Sequence, residues 1–75
     1  MPAAPSFHQR LIAAMVIAAE ERRSPERRME LLHMIVQSAH VPELRAFLAE
    51  AHHIVLPKSA RRAEVVAEVE RVIAA

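Results

Sequence analysis

The chain is short, aliphatic and nearly neutral. Its 75 residues make a single domain, and a chain of this size buries only about 60% of its unfolded surface. Ten basic and nine acidic residues give a net charge of +1, too balanced for strong sequence-independent binding to phosphates. The absence of cysteine excludes disulfides and thiolate metal sites, and it suggests a reducing, cytoplasmic location. Because 53% of the residues are hydrophobic, we expect self-association to supplement the small core.

The first predicted element contains nine consecutive apolar residues, Leu11 to Ala19. Residues 1–5 include two prolines and are expected to be a disordered leader. Ser6 followed by Gln9 forms a capping box that predicts a helix over about 7–22. One stripe of this helix is expected to face the core: Phe7, Leu11, Met15 and Ala18.

The apolar run also has to be considered as a targeting or membrane segment. It is far shorter than the roughly 20 residues that span a bilayer, so we expect no membrane contact. It is followed by Glu-Glu-Arg-Arg rather than by a small-residue cleavage site. A signal-peptide core of this length stays open as the alternative.

A helix over about 25–38 begins at Ser24-Pro25-Glu26, which combines an N-cap, a first-turn proline and an acidic first turn. The short link before it predicts an antiparallel hairpin with the first helix. The inner face of the second helix is expected to contain Met29, Leu32, Ile35 and Val36, with Leu31 and Met34 beside it.

Two more helices are predicted over about 42–51 and 59–73, the second capped by Ser59. Between them, the apolar residues of His52 to Lys58 suggest an extended, buried connector. The predicted inward residues are Leu44, Phe47, Leu48 and Ala51 in the third helix and Val65, Val66, Val69, Val72 and Ile73 in the fourth. The predicted fold is an all-α domain: a helical hairpin, then a helix–extended-loop–helix unit.

The second half of the chain, about 44–73, resembles the helix–extended-loop–helix motif of SAP domains and the Rho N-terminal-domain-like family. The matching residues are Leu44, Leu48 and Ile54 and the sequence Arg62-Ala63-Glu64-Val65-Val66. His52-His53 stands where that family usually has a glycine. The resemblance implies nucleic-acid contact from the loop and the start of the last helix. The positions it would use are Lys58, Ser59, Arg61 and Arg62; their alternative role is that of solvated surface residues.

Catalytic, metal and cofactor sites are not expected. The chain lacks Cys, Tyr, Asp, Asn and Gly, so common nucleophiles and a phosphate-binding glycine loop are missing. Its four serines are better explained as caps and turns. No two of the five histidines have the i, i+4 spacing of a helical metal site, although a pH-sensitive interface through His52 or His53 is an alternative. We therefore expect no enzyme, no cofactor and no small-molecule substrate.

The leading hypothesis is a helical protein–protein interaction module. Since the first helix has more apolar surface than one stripe can bury, its remaining face is expected to contact a protein partner or a second copy, as in a homodimer. The expected interface residues are Val16, Ile17, Leu31 and Met34, with Arg23 and Arg27 at the edge. The alternative function is that of a nucleic-acid-binding regulator.

Overall fold

A computed structural model describes residues 6–21 and 24–75, and within these residues the chain forms four α-helices and no strand. They are α1 (Phe7–Glu20), α2 (Pro25–Gln37), α3 (Val41–Glu50) and α4 (Arg62–Ala74). Helix α1 packs against α2 and α3, and α4 packs against α2 and α3. The predicted all-α, four-helix architecture is confirmed.

Local sequence signals set the first two helix starts. Ser6 Oγ accepts a hydrogen bond from the backbone N–H of Gln9, whose side chain accepts one from the backbone N–H of Ser6, so the predicted capping box is formed. Ser24 Oγ accepts from the N–H of Arg27, and Pro25 occupies the first turn of α2. Each cap satisfies an N–H group that has no partner inside its helix.

The core lies between the four helices and is almost entirely aliphatic. The predicted stripe of α1 is buried in full, and Leu32 and Val36 of α2 pack onto it. Phe7 and Phe47 meet edge to face, with ring centroids 5.3 Å apart, and join α1 to α3. The other buried apolar residues of the third and fourth helices and their connector are Leu44, Ala51, Ala60, Val65 and Val69.

The predicted inner face of α2 is partly wrong. Ile35 is only half-buried, and Met29 is 36% exposed. In the second half of the chain, Leu48, Val66, Val72 and Ile73 are half-buried and pack around the core rather than within it. A domain this small has room for one narrow core stripe per helix.

The connector between α3 and α4 differs from the prediction. Ile54 and Leu56 pack against the core, but the side chain of Val55 between them is 80% exposed. Ser59 does not cap α4: its hydroxyl donates to the carbonyl of Met15, and Arg61 is the N-cap residue instead. Helix α4 therefore starts three residues later than predicted, since Ser59 ties the connector to α1.

Candidate protein-interaction site

The register of the α1–α2 hairpin is fixed near its open end. Arg10 of α1 donates a 3.0 Å hydrogen bond to the hydroxyl of Ser38, which follows α2. Positions seven residues apart fall on nearly the same stripe of a helix. Ile17, seven residues after Arg10, therefore lies level with Leu31, seven residues before Ser38, on one side of the hairpin.

Large apolar side chains are exposed on this side. Ile17 is 51% exposed, and Met34, one turn from Leu31, is 57% exposed. Val16 is 37% exposed and precedes Ile17 in the sequence, so its side chain lies about 100° further round α1. We call the four predicted residues, Val16, Ile17, Leu31 and Met34, the hairpin face; Leu31 among them is half-buried and packs against the core. Helix α4, which packs on α2, leaves Ile17 uncovered.

Charged residues border the hairpin face. Arg27 precedes Leu31 by one turn, and its guanidinium lies 2.8 Å from the carboxylate of Glu30. Both side chains remain substantially exposed, at 44% and 62%. The other predicted edge residue, Arg23, lies outside the described residues. The face thus has apolar side chains at its centre and charges of both signs at one edge, the composition of many protein interfaces.

The four residues of the nucleic-acid alternative do not form one exposed cluster. Lys58 and Arg61 are exposed, and Arg61 lies 3.8 Å from Glu64. Arg62 instead donates to the carbonyl of Ala51 at the end of α3, and the Ser59 hydroxyl is bound to α1. Two of the four side chains thus hold the connector in place.

A second polar region joins α2 to α4, and we call it the α2–α4 seam; it consists of Arg28, His33, Glu64, Glu68 and Arg71. Arg28 lies 3.4 Å from the carboxylate of Glu64 and donates to the carbonyl of Ser59. One helical turn further on, Glu68 is buried, with only 6% of its surface exposed. Its carboxylate accepts hydrogen bonds from His33 Nδ1 and from Arg71 Nη2, the latter at 2.6 Å to both oxygens.

The bonds to Glu68 compensate for its burial. Burial alone would raise the pKa of this carboxyl group, because a charged carboxylate is less stable away from water. The hydrogen bonds and positive charge of His33 and Arg71 outweigh that effect, and the pKa of Glu68 is lowered below its ordinary value. Glu68 is therefore a buried carboxylate that stays ionised.

Sequence reasoning missed the seam. Glu68 lies three residues after Val65 and four before Val72, so a carboxylate within an apolar stripe was the available signal. It also missed Glu43, whose carboxylate accepts from the N–H of Phe7 at the start of α1. Such pairings depend on how the helices pack, and helical periodicity does not contain that information.

An open groove of about 580 Å³ lies between the end of α3 and the start of α4. Its walls are mainly apolar and include Leu48, Ala63 and Val66. The histidines considered for pH sensing, His52 and His53, are exposed at this end of α3.

Comparisons with known proteins leave the family open: no protein-family model, curated protein or solved structure matches the chain. The resemblance of residues 44–73 to SAP domains stays a prediction. Within 6–21 and 24–75, no helix has the length and apolar character needed to cross a membrane. The same residues contain no group of three or more histidine or acidic side chains placed to hold a metal ion.

Proposed function

We propose that this protein is a non-enzymatic helical interaction module that pairs with a second copy of itself through the hairpin face. The observation that carries the proposal is the exposure of Ile17 and Met34 on one side of the α1–α2 hairpin. Burying apolar surface contributes about 25 cal/mol per Å², so pairing would remove from water what the monomer's core leaves exposed.

The charges of the chain favour a second copy as the partner. A two-fold interface places the same surface on both partners, so the surface must be self-complementary. The hairpin face meets this requirement, with an apolar centre and both Arg27 and Glu30 at its edge. The net charge of +1 adds little repulsion between copies.

Two matched variants test the proposal by light scattering coupled to size exclusion. Ile17→Glu places a charge in the centre of the hairpin face and is expected to yield a monomer. Val55→Glu makes the same kind of change at an exposed valine of the connector and is expected to leave self-association intact. The two variants should retain similar helicity by circular dichroism, because neither position belongs to the core.

The outcomes separate the proposal from its alternative. A folded Ile17→Glu variant that self-associates as well as the wild-type protein would overturn the pairing through this face. Retention of the protein on DNA or RNA at low salt, lost in Arg61→Glu and weakened steeply by added salt, would favour the nucleic-acid-binding alternative.

A further inference from the structure

Glu68 in the α2–α4 seam is flanked by two cationic groups that differ in kind. Arg71 carries a permanent charge, and its side chain is 65% exposed. His33 carries a charge only when protonated, and its side chain is 41% exposed. The carboxylate of Glu68 is almost fully enclosed and needs a cation beside it, because an unpaired buried charge is costly.

The hydrogen bonds define the protonation state of the imidazole. Nδ1 of His33 contacts an oxygen of Glu68, and an ionised carboxylate only accepts hydrogen bonds, so Nδ1 must donate. In the neutral ring the proton therefore lies on Nδ1, and the next proton binds Nε2. Arg71 Nη2 lies 3.1 Å from Nδ1 and can only donate, so a protonated His33 places a second positive charge against it.

We propose that His33 and Arg71 exchange places as the main partner of Glu68, driven by protonation of the imidazole. When the imidazole is neutral, Arg71 neutralises the carboxylate and His33 adds a hydrogen bond. When it is protonated, the imidazolium neutralises Glu68 and repels the guanidinium, which leaves for solvent. The seam thus stays closed while a surface cation near the end of α4 is released at acidic pH.

The other charged groups around His33 are already paired and do not take part in this exchange. Glu30, one turn earlier on α2, is paired with Arg27. On α4, Glu64 lies one turn before Glu68 and faces Arg28. From α1, which packs on another side of α2, Arg10 contacts Ser38 and Glu43. The lowered pKa of Glu68 keeps its carboxyl group ionised whether His33 is neutral or protonated.

Chemical unfolding of two variants at pH 8 and pH 5.5 tests the exchange. Arg71→Gln should raise the unfolding equilibrium constant about tenfold at pH 8 and about twofold at pH 5.5, where His33 replaces the arginine. His33→Gln should show the reverse order, with the larger loss at pH 5.5. Arg45→Gln and His40→Gln change two exposed positions outside the seam and serve as controls. Their losses of stability should not show this opposite dependence on pH.

Equal losses at both pH values for Arg71→Gln, or a larger loss at pH 8 for His33→Gln, would overturn the exchange. A measurement on the unmodified protein covers the case in which a variant fails to fold. The heteronuclear NOE of the Arg71 Nε–Hε group should be lower at pH 5.5 than at pH 8. An Arg71 side chain that remains equally ordered at pH 8 and pH 5.5 would exclude its release. These tests do not depend on the hairpin face.

Discussion

Helix α2 has two flanks beside its core stripe, one packed against α4 and one exposed next to α1. On the flank toward α4, Arg28 pairs with Glu64 and His33 with the buried Glu68, which Arg71 of α4 also contacts. On the flank shared with α1, Ile17 and Met34 extend into solvent. The charged groups of the first flank are paired within the chain, and the apolar groups of the second remain exposed to solvent. This difference is the reason why the proposed pairing uses the apolar flank rather than the charged one.

Truncation of a buried and of an exposed side chain of α2 should produce the largest difference in the free energy of unfolding. Leu32→Ala removes a fully buried side chain and should cost about 2–5 kcal/mol in the free energy of unfolding. Met34→Ala removes a side chain from the exposed face and should change the monomer's stability by less than about 0.5 kcal/mol. Urea unfolding at low protein concentration measures both values. Similar losses would mean that Met34 packs inside the domain.

A smaller contrast is expected along α4. Glu68→Ala leaves His33 and Arg71 without their acceptor in the seam, and should cost about 1–3 kcal/mol. Glu70→Ala is the control, because this exposed carboxylate should contribute within about 0.5 kcal/mol. The same urea experiment compares them. A Glu68 variant as stable as the Glu70 variant would show that the seam adds no stability.

The free energy of unfolding at acidic pH should depend on the ionisation of Glu68. Its pKa in the folded protein is lowered from 4.5 by its bonds to His33 and Arg71, despite burial. A lowered folded-state pKa adds stability that is present above the unfolded value and is lost as the pH falls through the folded value. The advantage of the wild-type protein over Glu68→Gln should therefore hold at pH 6 and shrink toward pH 3. An advantage that is constant over this range would contradict the assignment.

The sequence predicts what depends on neighbouring residues. The caps at Ser6 and Ser24 and the buried stripe of α1 are local, since each follows from spacings of three or four residues. The exposure of Ile17 is also predictable, because one helix cannot bury all sides of its apolar run in a small domain.

The features that the sequence does not predict depend on tertiary contacts. Serine is a residue type that favours helix N-caps, but Ser59 donates to the carbonyl of Met15, which is 44 residues away. From the sequence alone, Glu68 would be interpreted as a solvated charge, but in the structure it bonds to His33 of α2 across the seam. Arg62 is predicted from a resemblance to contact nucleic acid, yet its guanidinium donates to the carbonyl of Ala51 at the end of α3. In each case a partner distant in sequence determines the role of the side chain.

The central claim is that the hairpin face is covered by a second copy in solution. Sedimentation equilibrium of the unmodified protein over a wide concentration range, at neutral pH, tests it most directly. The average mass should rise from the chain mass of 8.4 kDa toward twice that value as the concentration increases. A mass that stays at 8.4 kDa up to the highest concentration would contradict the account.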